Sequence, residues 1–151
     1  KKVMTPGLHL KIPFWQKAKL FNTQTLEYGI SREFNPANEA GLGDVPVGAV
    51  TLDGKRISVE GTVLARLDVG QIPTIWQTIG EDFVQKIVRP TIRSRLRMIA
   101  ARYSFQDIVS LRRDAFEIET KNELQRIFLP RGINVENVLL SEIRQSEESG
   151  L

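Results

Sequence analysis

Arginines recur at every fourth position over 89–97, a spacing that lines Arg89, Arg93 and Arg97 along one face of a helix. Arg95 and Arg102, seven apart, form a second pair on the same stretch. Like charges at this spacing weaken an isolated helix, so something anionic should offset them. A planar guanidinium suits bidentate contact with carboxylate or phosphate. Three anions qualify: the acidic stretch Asp114, Glu117, Glu119 and Glu123 of a neighbouring copy, the headgroups of anionic lipids, and nucleic acid. Solvation, or pairing inside the same chain, is the plainer alternative. Nucleic acid is not expected as a partner. Such sites interleave aromatics with their basic groups, and only Tyr103 stands at the end of this stretch. A second patch, Phe14-Trp15-Gln16-Lys17-Ala18-Lys19, sets two aromatic rings beside two lysines. Phe14, Trp15, Lys17 and Lys19 suit contact with a membrane surface, where amphipathic rings and ammonium groups sit at headgroup level. The alternative is that Trp15 covers the open end of a sheet.

Other chemistries lack their residues. There is no cysteine, hence no disulfide, thiolate metal site or cysteine nucleophile. The one histidine, His9, has no acidic partner nearby in sequence to orient its ring. Gly41-Leu42-Gly43-Asp44-Val45-Pro46-Val47-Gly48 only superficially suggests a phosphate loop. Its third glycine comes two positions late for a dinucleotide fingerprint, and Ala49-Val50 stand where a P-loop needs Lys-Ser/Thr. Glu117 and Glu119 are two apart and do not share a helix face. No nucleophile elbow is present. The expectation is a protein without catalytic residues, metal or cofactor, and not an enzyme.

These groups must be positioned by a chain of 151 residues, 41% hydrophobic and 26% charged, the size of one domain or of one built from two small lobes. Its apolar runs are far short of the ~18 residues that cross a bilayer, and no signal peptide is visible. It opens on Lys1 without a methionine, as a piece cut from a longer protein would. Net charge is +3, unevenly spread: residues 81–105 carry +4 and residues 106–151 carry −3. Such a dipolar layout suits head-to-tail self-association as well as an anionic ligand.

The front half has the period of strands. Leu8, Leu10, Ile12 and Phe14 alternate with polar residues until Pro13 ends or edges the strand. A less regular strand follows over about Ala18–Tyr28, then a long exposed connection over 31–48. Val50-Thr51-Leu52, Asp53-Gly54 and Arg56–Leu67 predict a hairpin closed by a type I′ turn. In its second arm Ile57, Val59, Val63, Ala65 and Leu67 share a face, with Gly61 marking a bulge. The back half switches to a period near 3.6. Ile72, Trp76 and Ile79 predict one short helix, stopped by Gly80. A long helix over about Asp82–Arg102 should kink or split at Pro90. Ser104-Phe105-Gln106-Asp107 resembles a capping box opening a short helix to about Leu111. A further helix over about Arg113–Leu129 should turn Ala115, Phe116, Ile118, Leu124, Ile127 and Phe128 inward and end at Pro130 and Gly132. Ile133, Val135, Val138 and Leu140 predict a closing strand that rejoins a sheet. The class is α+β: an N-terminal antiparallel β-rich lobe of about 1–68, a helical lobe of about 69–145 with a closing C-terminal strand, and a polar tail at 146–151.

Joined in order, several of these pieces resemble the SPFH superfamily of stomatins, prohibitins, flotillins and the HflK and HflC proteins, and its prohibitin branch most closely. The resemblance rests on Pro6-Gly7-Leu8-His9-Leu10-Lys11-Ile12-Pro13 and Trp15-Gln16-Lys17, then on Asp53-Gly54 and the 57–67 strand. It continues through Pro73-Thr74-Ile75-Trp76-Gln77-Thr78-Ile79-Gly80 and Val88-Arg89-Pro90-Thr91-Ile92-Arg93. It closes with Tyr103-Ser104-Phe105-Gln106-Asp107-Ile108, Arg112 and Gly132-Ile133-x-Val135, covering about residues 3–143. The departure is the 31–48 segment, longer than the matching connection expected in prohibitins. The resemblance implies an SPFH, or prohibitin-homology, domain over 1–145 that is non-enzymatic. Family members are membrane-anchored scaffolds that build rings or cages, organise membrane microdomains, and enclose or regulate membrane proteases or channels. The anchor normally precedes this domain and a coiled coil follows it, so the piece in hand should be soluble and at most weakly associating. The implied partners are other copies of the chain or a paralogous SPFH subunit, membrane lipids, and a membrane protease. By the same resemblance the β-rich lobe lies against the bilayer, in keeping with Phe14 and Trp15. The helical lobe makes lateral contacts, in keeping with Arg89, Arg93 and Arg97 facing an acidic neighbour. An alternative is a peripheral module that binds anionic lipid without assembling rings.

Overall fold

Alternation over 56–67 becomes a twelve-residue strand in the computed structural model, which describes residues 26–35, 37, 43–67 and 84–146. The strands are β1 (Leu26–Ile30), β2 (Gly43–Asp44), β3 (Val47–Val50), β4 (Arg56–Leu67) and β5 (Ile133–Gln145). The helices are α1 (Arg89–Ala100) and α2 (Arg113–Phe128). The expected strand around Leu8–Phe14, the Phe14–Lys19 patch and the 72–79 helix lie outside the described residues.

β4 is the central strand. Val59 pairs with Val47 of β3 and Ile143 of β5, while Val63 pairs with Tyr28 of β1 and Val138 of β5. A strand has only two edges, so β5 runs along one and β3 and β1 lie end to end along the other. All these pairings are antiparallel, but β2 adds to β1 in parallel, through Gly29↔Gly43 and Ile30↔Asp44. The sheet is therefore mixed rather than wholly antiparallel. β2 thus lies beside the last two residues of β1. This also corrects the exposed connection expected over 31–48: its far end is built into the sheet, with Asp44 and Val47 buried.

Asp53-Gly54 closes β3 onto β4, but not through a type I′ turn. The Gly54 N–H donates to Thr51 O and the Thr51 N–H to Lys55 O, both at 2.9 Å. Gly54 is left-handed at φ 81°, while Asp53 keeps a negative φ. That geometry is a three-residue loop with glycine in the left-handed position. Asp53 is instead occupied by the Thr51 hydroxyl (2.5 Å) and the Phe105 N–H (3.1 Å).

Pro90 does change the helix. Residues Val84–Val88 form a π-helical turn that runs directly into α1. The wider turn takes up the backbone bond that proline cannot make and the clash of its ring with the preceding turn. Ser104 Oγ accepts the Asp107 N–H at 3.1 Å, one half of the anticipated capping box. Pro130 lies in a short 3-10 turn after α2, and Gly132 ends it at φ 84°. Phe116, Thr120, Leu124 and Phe128 form the buried face of α2. Ile118, expected to point inward, is 57% exposed. Two positions beyond Phe116 it has rotated ~200° and faces away from the core.

α1 packs on β3 and α2 on β5, and the two helices touch each other. Ile92, Leu96, Ile99, Phe116 and Phe128 meet Val47, Ile57, Val59 and Val135 across one core. The bulge at Glu60/Gly61 falls where it was expected. A Cβ at Gly61 would stand 2.6 Å from Leu139 O, so the strands can approach this closely only without a side chain. A second irregularity at Leu64/Ala65 lets Val135 and Val138, three apart, both face the core.

Candidate assembly surface

The α1 arginines find their anion within the chain. Asp44 is 6% exposed in its side chain and stands opposite Arg89 and Arg93, each about one quarter exposed. Arg93 Nη1 donates to Asp44 Oδ2 at 2.9 Å, and Arg89 Nε lies 3.5 Å from Oδ1. Arg89 Nη2 donates to Gly43 O and Arg97 Nε to Gly48 O, both at 2.9 Å. The Val45 N–H reaches Asp44 Oδ1 at 2.8 Å. One helix face thus fastens the β2–β3 segment, with Arg97 left the most exposed of the three. The Tyr28 phenol is buried beside this cluster; burial pushes its pKa up, while Arg89 pulls the other way.

Basic α1 also meets acidic α2 within the chain. Arg95 Nη1 lies 3.4 Å from Glu123 Oε2, and Arg126 Nη2 donates to the same oxygen at 2.6 Å. Arg102 pairs with Glu119, whose other oxygen accepts the Tyr103 hydroxyl at 2.6 Å. Arg112 stacks over the Tyr103 ring, which meets Phe116 edge-on. The Tyr103 hydrogen bond, then Arg102, hold Glu119 below the usual carboxylate range against the opposing effect of burial. Arg126, then Arg95, do the same for Glu123. The Tyr103 phenol is pushed up, chiefly by its bond to that carboxylate.

Glu117 belongs to a third contact: its Oε2 accepts the Leu140 N–H at 2.7 Å, while Arg113 Nη2 donates to Leu140 O at 2.5 Å. Asp114 stays exposed at the start of α2, with Oδ1 on the Ala115 N–H at 2.8 Å.

Arg89, Arg93 and Arg97 therefore do share a face, and the acidic set divides among α1, β5 and solvent. Phe14, Trp15, Lys17 and Lys19 lie outside the described residues. Asp44 was missed by sequence reasoning because it stood in a segment read as loop. The signal that could have found it was the unpaired arginine ladder itself, which demanded an anion. As chemistry the arrangement fastens elements and presents charge. Among the described residues no cluster of His, Cys, Asp and Glu could hold a metal ion, and no helix is long and apolar enough to cross a membrane.

Residues 1–149 match the family model described as SPFH domain / Band 7 family. Prohibitin-1 of Schizosaccharomyces pombe is 25% identical over 148 residues, spanning 98% of this chain and 47% of that protein. Prohibitin-2 of Saccharomyces cerevisiae is 27% identical over 142 residues, 94% of this chain and 39% of that one. Mitochondrial Prohibitin-1 of Arabidopsis thaliana is 22% identical over 142 residues, 94% and 42%. The chain thus spans less than half the length of these relatives.

Proposed function

Because the chain belongs to the SPFH domain / Band 7 family, we propose that it is a non-enzymatic scaffold domain that works beside a membrane. Residues 1–145 form its working unit, the β-rich part of about 1–68 toward the bilayer and the helical part of about 69–145 toward its neighbours. Copies of the chain, or copies and a paralogous subunit, join laterally into rings or cages that organise membrane microdomains and regulate a membrane protease or channel. The observation that carries this reading is the family match over 1–149. That relatives occur as both Prohibitin-1 and Prohibitin-2 is in keeping with a paralogous partner.

The lateral surface is the helical layer, with Arg89, Arg93 and Arg97 on α1 and Asp114, Glu117, Glu119 and Glu123 on α2. Arg89 and Arg93 act indirectly, by fixing α1 through Asp44, whereas Arg97 and Asp114 reach outward. The test is Arg97→Glu in the full-length protein, viewed by electron microscopy in membranes. Loss of closed rings in Arg97→Glu but not in Arg97→Ala, which gives up the same Gly48 contact, supports the surface; intact rings in Arg97→Glu, or equal loss in both variants, reject it.

A second reading is favoured by Phe14-Trp15 beside Lys17 and Lys19: a peripheral module that binds anionic lipid without rings. Flotation of Phe14→Ser/Trp15→Ser with anionic liposomes decides it, since unchanged binding would leave those rings a structural role only.

A further inference from the structure

The outward ridge of α2 is more apolar than solvent requires. Phe116, Thr120, Leu124 and Phe128 face the core. On the opposite side Ile118, Asn122 and, at the first residue of the following 3-10 turn, Leu129 are exposed, four and seven positions apart as in a coiled-coil seam, while Ala115 packs toward the core and the Gln125 amide is taken by Asn134 and Val135 of β5. Ile118 and Leu129 are 57% and 52% exposed. Single exposed apolar side chains need no explanation, but two on one seam with an asparagine between them form a pattern.

Charge selects the occupant. Consider a second α2 laid antiparallel across the first, about a two-fold axis at the level of Glu123 and Leu124. Ile118 then faces the other copy's Leu129, in both directions. Such an axis keeps the same flank of each helix together. Along one flank Glu119 comes beside the other copy's Arg126, again twice. Both already end intrachain ladders: Arg102–Glu119 on one side and Arg95–Glu123–Arg126 on the other. Arg126 is 67% exposed in its side chain and places Nε and Nη2 on Glu123. A guanidinium has five donors, so Nη1 can serve a second carboxylate. The contact would merge two separate ladders into one network of alternating sign.

We propose that the outer ridge of α2 is a self-complementary docking seam for the α2 of a second copy, antiparallel, with Ile118 against Leu129 and Glu119 against Arg126. The proposal rests on the reading of the chain as an assembling scaffold domain. A two-fold contact closes at two copies, so it builds dimers, and rings must grow from them through other surfaces, such as that around Arg97.

The chain has no cysteine, so introduced ones report cleanly. Ile118→Cys and Leu129→Cys versions of the 151-residue chain are oxidised singly and mixed. The seam predicts disulfide dimers in the mixture and almost none in either variant alone, because equivalent positions lie ~16 Å apart along the axis. A homodimer of Ile118→Cys alone would mean a parallel arrangement and overturn the proposal, as would no cross-link in any sample. Sedimentation of Ile118→Asp should show self-association weakened by about tenfold or more with an unchanged melting temperature. Association equal to the parent chain would also overturn it. Rings of the longer protein that persist in Ile118→Asp would remove this seam and leave the scaffold reading standing.

Discussion

A carboxylate held between two guanidinium groups has few tolerable replacements. Asp44 is almost fully buried, and Arg89 and Arg93 are each about three quarters covered. Asp44→Asn keeps the shape and removes the charge, leaving two partly buried cations side by side. Removing one partner of a buried pair costs about 3–5 kcal/mol; partial exposure of the arginines should reduce that to about 2–3 kcal/mol. The urea midpoint should fall accordingly with an unchanged slope, and a loss below about 0.5 kcal/mol would show that water carries most of the arginine charge. That these arginines needed an anion was legible in their spacing. Its identity was not: Asp44 lies 49 positions before Arg93 and is recruited only by the fold.

Period carries elements, provided that an element is long enough to have one. β4 and β5 span twelve and thirteen residues, and their alternation, including the interruption at Gly61, was readable. β2 is two residues long and shows no period at all, which is why 31–48 looked like loop throughout. Residue type also competes with period. Ile118 was assigned inward for being apolar, yet the buried repeat 116-120-124-128 takes in Thr120 instead, whose hydroxyl is satisfied by Phe116 O at 2.8 Å. In the hairpin, Asp-Gly marked the right place, but the Asp53 side chain bonds Thr51 and Phe105 and the loop widens. The bulge offers an element-scale test with an internal control. Gly61→Ala drives a Cβ against Leu139 O of β5, while Gly29→Ala in β1 meets nothing within 4 Å. The first should cost about 1–3 kcal/mol and the second should be neutral or slightly stabilising. Thermal melts of the two variants decide it: equal melting temperatures would mean that the β4–β5 bulge can shift to admit a methyl group.

Charge is the property that ties distant segments into one molecule. The basic 81–105 and acidic 106–151 stretches read from the sequence as a dipole, and the fold brings them together as Arg95–Glu123 between α1 and α2 and as Arg102–Glu119 between the turn after α1 and α2. Both glutamates are held below the usual carboxylate range, Glu119 by Tyr103 and then Arg102, Glu123 by Arg126 and then Arg95. A depressed folded pKa means that the unfolded chain binds protons first as pH falls. The stabilisation is fully present above the ordinary glutamate range and is lost as pH drops through the folded values. Both side chains keep some solvent contact, 32% and 19% exposed, so the two together contribute about 1 kcal/mol or less. For a chain of this size that is about 2–4 °C of melting temperature. Acid also strips charge from the other carboxylates and leaves 21 basic groups repelling one another, so a bare pH scan mixes two effects. Tyr103→Phe separates them. It removes the hydrogen bond that does most to hold Glu119 ionised and leaves the net charge at neutral pH unchanged. The gap between parent and variant should be about 1 kcal/mol at pH 7, shrink as pH falls from the ordinary glutamate range through the lowered folded value, and survive added salt, since general repulsion is screened and the short bond is not. A gap that stays constant from neutral to acid would show that the Tyr103–Glu119 bond does not depend on the carboxylate charge.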